Sequence, residues 1–221
     1  MNSIFVNEIF ETIQGEATWT GTPAVFVRLQ GCPVGCPWCD TKHTWDVVSS
    51  NQVAPAILFL KQEDAPTFAQ FTVDELMECL DQFEAQHIVF TGGEPCSYNL
   101  EPFTKAICDS GRSCQIETSG TFPINVDDRC WVTLSPKIDM PGGLDVLDGA
   151  FDRADEVKYP LGKEGDLTKI TERVLNKIPA GVPFWVQPLS QSTKATALCI
   201  KAATANNWRV SIQTHKFVGV R

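Results

Sequence analysis

Cys32, Cys36 and Cys39 stand in the run Gly31-Cys-Pro-Val-Gly-Cys-Pro-Trp-Cys-Asp-Thr41, a C-x3-C-x2-C spacing. Two or three intervening residues let one tight loop turn successive thiolates toward a common centre, and Pro33, Gly35 and Pro37 supply the turn chemistry. Iron-sulfur cubanes are usually held by four thiolates. Three close ones with no evident fourth predict a [4Fe-4S] cluster whose remaining iron is open to a small molecule, an arrangement for catalysis more than for electron storage. A tetrahedral zinc site with His43 as fourth ligand is the alternative, although paired C-x2-C knuckles are absent. Disulfides fit less well, because nine cysteines are an odd number, 221 residues is no small secreted scaffold, and no signal peptide is read before them.

Other polar motifs follow apolar, strand-like runs. Thr91-Gly-Gly-Glu-Pro95, Glu117-Thr-Ser-Gly120, Ser135-Pro-Lys137 and Gln187-Pro188 each sit where a strand would end. In βα barrels the loops at the carboxyl ends of the strands build the active site, so one face can collect all four with the cysteine loop. Singly they are ambiguous. Gly92 and Gly93 allow close approach to a ligand, yet an ordinary turn has the same residues. Glu117, Thr118 and Ser119 offer acceptors and hydroxyls for a ribose, and Thr-Ser-Gly is also turn material. Lys137 suits a carboxylate or water equally. Their joint order is what carries weight.

The elements that must position these groups alternate. Residues 24–29, 87–91, 114–118, 131–135, 155–159, 184–189 and 209–214 read as short strands, with helical patterns between most of them, which predicts an α/β fold of parallel βα units. The clearest helix is 73–86: Thr72 and Glu75 form a capping-box pattern, and Val73, Leu76, Leu80 and Phe83 share an apolar face. Further helices are expected over 101–110, with Pro102 in the first turn and Gly111 as the stop, and over 194–206. Cys79, Cys96, Cys108, Cys114, Cys130 and Cys199 lack cluster spacing and read as small buried hydrophobes, so no second cluster is expected.

The whole chain, 1–221, reads as one domain with an N-terminal extension over 1–22 and the cluster loop over 30–50. A net charge of -9 and a pI of about 4.8 argue against nucleic-acid binding, which needs a basic face. No apolar run approaches the roughly 20 residues of a membrane span, and reduced thiols suit a cytoplasmic enzyme.

Beyond this, the spacing with Trp38 before the last cysteine resembles the cluster loop of the radical S-adenosylmethionine (SAM) superfamily, and Thr91 to Pro95 resembles its GGEP motif, whose backbone and acidic residue, here Glu94, engage the amino group of SAM. That resemblance implies a partial, shortened TIM-like barrel, SAM held by the open iron, and reductive cleavage of SAM to methionine and a 5′-deoxyadenosyl radical. The runs Asn7-Glu-Ile-Phe-Glu-Thr-Ile-Gln-Gly-Glu16, Gly21 to Cys32, Cys39 to Trp45, Gln115 to Gly120 and Trp208 to Lys216 further resemble the 7-carboxy-7-deazaguanine synthase family, nearest its enterobacterial-type members with the short cluster loop.

The family resemblance implies conversion of 6-carboxy-5,6,7,8-tetrahydropterin to 7-carboxy-7-deazaguanine and ammonia in queuosine biosynthesis, with SAM regenerated, Mg2+ required, a flavodoxin- or ferredoxin-type electron donor and a homodimer. By the same resemblance Cys32, Cys36 and Cys39 hold the cluster, and Trp38, Cys39, Asp40, Gly93, Glu94, Glu117, Ser119, Ser135, Pro136, Lys137 and Gln187 form the SAM pocket. Ile13, Gln14, Gly15, Glu16, Arg28, Thr91 and His215 contact substrate, and Thr41 is the Mg2+ ligand, a hard oxygen. Arg28 can fork onto a substrate carboxylate and Glu16 or Gln14 can match the donors of a pterin edge, though by charge alone a strand-surface arginine and solvated loop residues fit as well. Ala17 departs from the family pattern, which often has a second glycine there; a positive φ at this position would strain alanine. The segment 47–71 carries no residue assignment. A glycyl-radical activating enzyme shares the cysteine loop but not the terminal runs, and a zinc-binding interaction module leaves the order of the strand-end motifs without a reason.

Overall fold

The computed structural model describes residues 2–61 and 63–220. Its strands are β1 (Ser3–Ile13), β2 (Pro23–Leu29), β3 (Ala69–Thr72), β4 (His87–Thr91), β5 (Ser113–Thr118), β6 (Trp131–Leu134), β7 (Glu156–Leu161), β8 (Phe184–Pro188) and β9 (Arg209–Val210). The helices are α1 (Pro55–Leu58), α2 (Val73–Leu80), α3 (Glu101–Asp109), α4 (Asp148–Arg153), α5 (Glu164–Arg173), α6 (Thr193–Asn206) and α7 (Thr214–Val218). One sheet of order β3-β1-β2-β4-β5-β6-β7-β8-β9 contains all the strands. From β2 to β9 every neighbouring pair is parallel, while β1 pairs antiparallel with β2 and β3. The sheet does not close on itself, so the barrel is partial, as expected.

Side chains alternate across it. Val25, Val27, Leu29, Ile88, Phe90, Ile116 and Val132 lie in one apolar core cluster, and Leu134, Val157, Leu161 and Val186 in a second. The intervening positions Phe26, Arg28, Thr91, Glu117, Lys158 and Gln187 line a cavity. Period two along each strand therefore separates packing from chemistry.

Several expectations are corrected. The stretch read as an N-terminal extension, 1–22, carries the 11-residue strand β1, an element the sequence reading did not place; its apolar alternation is interrupted where the register shifts between Val6 and Glu8. The helix expected over 73–86 has its capping box, with Glu75 N–H donating to Thr72 Oγ1 and Thr72 N–H to Glu75 Oε2, but it ends at Leu80. Beyond it the Glu11 carboxylate accepts from the N–H groups of Glu84 and Ala85 at 2.9 and 2.6 Å, which turns the chain into β4. The strand expected over 209–214 is only two residues long, because Thr214 N–H donates to Gly15 O at 2.9 Å and draws the chain across the sheet. Helices α4 and α5, and strand β3, had no counterpart in the sequence reading.

The thiols outside the loop behave as packing groups. Cys79, Cys96, Cys114, Cys130 and Cys199 are buried, and Cys108 is half-buried against the core.

Candidate active site

The cysteine loop is fixed by backbone and amide contacts, not by sulfur. Gly31 N–H donates to Thr44 O at 2.7 Å and Cys32 N–H to Trp45 O at 2.9 Å, while Cys39 N–H closes a turn on Cys36 O at 3.0 Å. Gln30, wholly buried, donates to the carbonyls of His43 and Asp46 and accepts from Asn7 Nδ2 at 2.7 Å. Leaving the buried Gln30 amide unpaired would cost about 1–3 kcal/mol, and with the backbone bonds it braces the loop by contacts that involve no sulfur. The Cys39 sulfur accepts from Trp45 Nε1 at 3.4 Å and lies 3.6 Å from Thr41 Oγ1.

All three thiols are free and line one cavity of about 580 Å³ at the carboxyl ends of the strands. Burial pushes the Cys32 thiol up to about 11, with Glu94 and the other two sulfurs adding to it, and burial also raises Cys36. Among the described residues no three His, Cys, Asp or Glu side chains converge on a single-ion site. His43 is absent from the cavity wall, with Nδ1 4.0 Å from Asp64 Oδ2, so it does not complete a Cys3His zinc set. Three soft donors spread along the wall of a cavity fit a polynuclear cluster better than one small ion.

The same cavity is lined by Ile13, Gln14, Glu16, Arg28, Trp38, Asp40, Thr41, Thr91, Gly93, Glu94, Glu117, Ser119, Ser135, Lys137, Gln187 and His215. Of the residues expected from sequence, only Gly15 and Pro136 stand off the wall. Gly15 has a different task. A Cβ built there would sit 2.0 Å from His215 Nδ1, so glycine lets the C-terminal segment close on the loop after β1. Gly93, at φ +52, would place a Cβ 2.5 Å from Gly31 O, and thus permits contact between the turn after β4 and the cysteine loop.

Glu94 does not point an unused carboxylate at a ligand. It is 2% exposed, and it accepts from Cys96 N–H at 3.0 Å, Thr118 Oγ1 at 2.6 Å, Ser119 N–H at 2.9 Å and the Ser119 hydroxyl. Those four bonds fill its acceptor positions and tie the loop after β4 to that after β5. Lys137 Nζ donates to Ser135 O at 2.9 Å, and its burial lowers its pKa.

Arg28, also on the cavity wall, donates from Nε to Glu8 Oε1 at 2.7 Å, beside the Phe10 ring. Glu8 lies on β1 and escaped the sequence reading. Gln14 Nε2 donates to Glu117 Oε1 at 3.0 Å and to Gln115 Oε1 at 3.2 Å. Below it Gln115, Thr133 and Glu156 form a hydrogen-bonded row whose last carboxylate accepts from the Thr18 hydroxyl at 2.6 Å, and Trp19 stacks on His87 at 4.3 Å. Polar side chains thus fill the barrel interior and hold the 14–19 loop as its floor.

Lys158, Gln213 and Lys216 also line the cavity; the last two lie in the 208–216 run of the resemblance without an individual role, and Lys158 was missed. A lysine inside a strand reads as solvent-facing, and no local pattern announces partners far along the chain. Gln213 Nε2 donates to Glu16 Oε1 at 2.7 Å, and Lys216 Nζ to Asp40 Oδ2 at 3.2 Å, so the segment ending in α7 spans the loop after β1 and the cysteine loop. Burial lowers the pKa of His215.

Ala17 has φ +52, is buried, and donates its N–H to Ser211 Oγ at 3.0 Å. A β-branched residue there adds left-handed strain to overpacking. Ala17→Val is expected to destabilise the metal-free protein by about 2–4 kcal/mol, and Ala17→Gly to stay within about 1 kcal/mol of the parent, in urea unfolding.

A three-cysteine loop at the open mouth of a partial βα barrel is the layout of a radical SAM protein, and the family described as the radical SAM superfamily matches residues 26–129. The 7-carboxy-7-deazaguanine synthase of Escherichia coli (strain K12) is 43% identical over 219 residues, covering 97% of this chain and 98% of that one. That of Buchnera aphidicola subsp. Schizaphis graminum is 42% identical over 221 residues, with 98% of each covered. A solved structure described as QueE from Escherichia coli superposes with a TM-score of 0.91 at 42% identity, over 95% of this chain and 93% of the other. The chain belongs to the 7-carboxy-7-deazaguanine synthase family of radical SAM lyases, and near full-length likeness does not favour the activating-enzyme or zinc-module readings.

Proposed function

We propose that the protein converts 6-carboxy-5,6,7,8-tetrahydropterin to 7-carboxy-7-deazaguanine and ammonia, a step of 7-deazapurine biosynthesis. One observation carries this reading: a single cavity is lined by three thiols and by Arg28, Gln14, Glu16, Glu117 and Gln187, groups able to grip a carboxylated heterocycle and a cofactor. Cys32, Cys36 and Cys39 would hold a [4Fe-4S] cluster. Together with SAM that cluster supplies reductive sulfonium cleavage and hence a hydrogen-abstracting radical.

The chain itself positions and excludes. Trp38, Asp40, Gly93, Glu117, Ser119, Ser135, Lys137 and Gln187 surround the SAM pocket; Pro136 and Glu94 act through the loops they shape. Arg28 beside Thr91 meets the substrate carboxylate, its guanidinium oriented by Glu8. Gln14 and Glu16 accept from the pterin edge, and His215 closes over it. Thr41 would supply an oxygen ligand to Mg2+, which when bound would contribute charge that orients the substrate carboxylate. Sealing by the 213–218 segment keeps water from the reacting atoms.

A homodimer in the cytoplasm with a flavodoxin- or ferredoxin-type donor completes the proposal; no described helix is long and apolar enough to cross a membrane.

The test is anaerobic turnover by the reconstituted protein, with mass spectrometry for a product lacking the elements of ammonia. That product supports the reading, and SAM cleavage without pterin turnover overturns it. Thr41→Ala is expected to raise the Mg2+ concentration for half-maximal rate by roughly tenfold, on the scale of one lost ligand contact. Unchanged Mg2+ dependence would remove Thr41 from the metal site.

A further inference from the structure

Lys158 lies on the cavity face of β7, and its side chain is 4% exposed. Its Nζ donates to Glu16 and, at 3.1 Å, to Glu117 Oε2. Each carboxylate has its other oxygen engaged: Glu16 Oε1 accepts from Gln213, and Glu117 Oε1 from Gln14. One ammonium therefore closes a chain through four separate segments: the loop after β1, the end of β5, the middle of β7 and the C-terminal segment.

Burying an ammonium is costly, and a buried ion pair is often no more stabilising than apolar packing of the same volume. The placement calls for a reason beyond stability. Glu16 and Glu117 both line the cavity, and the proposed function puts the first beside substrate and the second beside SAM. Without a cation, two buried carboxylates around one point repel, and one takes up a proton.

We infer that Lys158 is a positioning residue for both ligands, its ammonium fixing Glu16 and Glu117 as a paired set of acceptors between substrate and cofactor. This rests on the proposed function for the identity of the substrate and for the placement of Glu117 beside SAM. The role of Lys158 is to act through the two carboxylates. Other titratable groups face the trio from two sides. His215 approaches from α7, its pKa lowered by burial, and Lys137 approaches from the loop after β6. Burial alone would raise Glu16, yet Lys158, Gln213 and His215 bring it down to about 2.

The experiment uses the cluster-loaded protein, parent against Lys158→Met. SAM affinity is measured by equilibrium dialysis without reductant, and KM and kcat for carboxytetrahydropterin are followed from about pH 6 to about pH 8, the range into which a raised carboxylate pKa moves. KM should rise roughly 10- to 100-fold and SAM affinity fall roughly tenfold, the scale of a lost charge-assisted contact, with kcat changing less. The parent KM should be flat. That of the variant should fall as pH rises, because deprotonation restores the acceptor that the missing ammonium had kept charged.

Unchanged affinities, a change in only one of them, or a fall in kcat alone overturns the inference. If Lys158→Met does not fold, Lys158→Met/Glu16→Gln is compared with Glu16→Gln. This pair removes the like-charge clash, and a further tenfold loss of SAM affinity in the double variant supports the role, whereas equal affinity overturns it. Should the parent bind SAM but leave the pterin unchanged, the substrate assignment fails while dialysis still decides the SAM half.

Discussion

Cys32→Ser is expected to remove the cluster and with it all turnover, while leaving the fold almost untouched. The loop is held by the Gly31, Cys32 and Cys39 amides and by Gln30, none of which needs sulfur, and serine has nearly the volume of cysteine. Urea unfolding of the metal-free variant should agree with the parent within about 0.5 kcal/mol. Anaerobic reconstitution should give no stable four-iron species, because two thiolates remain for a cube that already has one open corner. Iron and sulfide per chain, with the visible absorbance, read this directly. Cys199→Ala is the control. That thiol is wholly buried in the second core cluster, so its loss should cost about 1 kcal/mol of stability and leave the iron content at the parental value. A cluster retained by Cys32→Ser would mean that the loop is not its seat.

Glu94→Ala should show the opposite division, a large loss of stability that appears before any cofactor is added. The substitution leaves the Thr118 hydroxyl and the Cys96 and Ser119 N–H groups without their acceptor in a buried site. Each orphaned donor costs about 1–3 kcal/mol, not additively. A total near 3–5 kcal/mol is expected in the metal-free protein, with Glu94→Gln intermediate because an amide retains one acceptor oxygen. If Glu94→Ala were as stable as the parent and had lost only SAM affinity, the carboxylate would be a ligand contact and not the brace between two loops.

The cysteine loop was legible because its chemistry is local: spacing, Pro and Gly are all contained in ten residues. The strand-end motifs were legible as an order, and the structure collects nearly all of them at one cavity. Strand β1 was not legible, since its register shift breaks the alternation, and Glu8, buried and paired with Arg28, carried no signal of its own. Lys158 was invisible for the same reason, its partner Glu16 being 142 residues away. The short β9 reflects a competition that sequence does not display, in which Gly15 O captures the chain at Thr214. Glu94 is a case where the motif marks a residue on the cavity wall and the geometry adds a bracing task that the motif does not reveal.

The central claim is that three cysteines, and no fourth side chain, hold an iron-sulfur cube whose open corner meets SAM inside this cavity. Electron paramagnetic resonance of the anaerobically reconstituted, reduced protein tests it, recorded before and after SAM is added. A [4Fe-4S] signal whose g-values shift on SAM addition, with broadening from SAM labelled with 17O at its carboxylate, is the expected result. A signal indifferent to SAM, or a protein that takes up one zinc ion in place of four irons, would contradict the account.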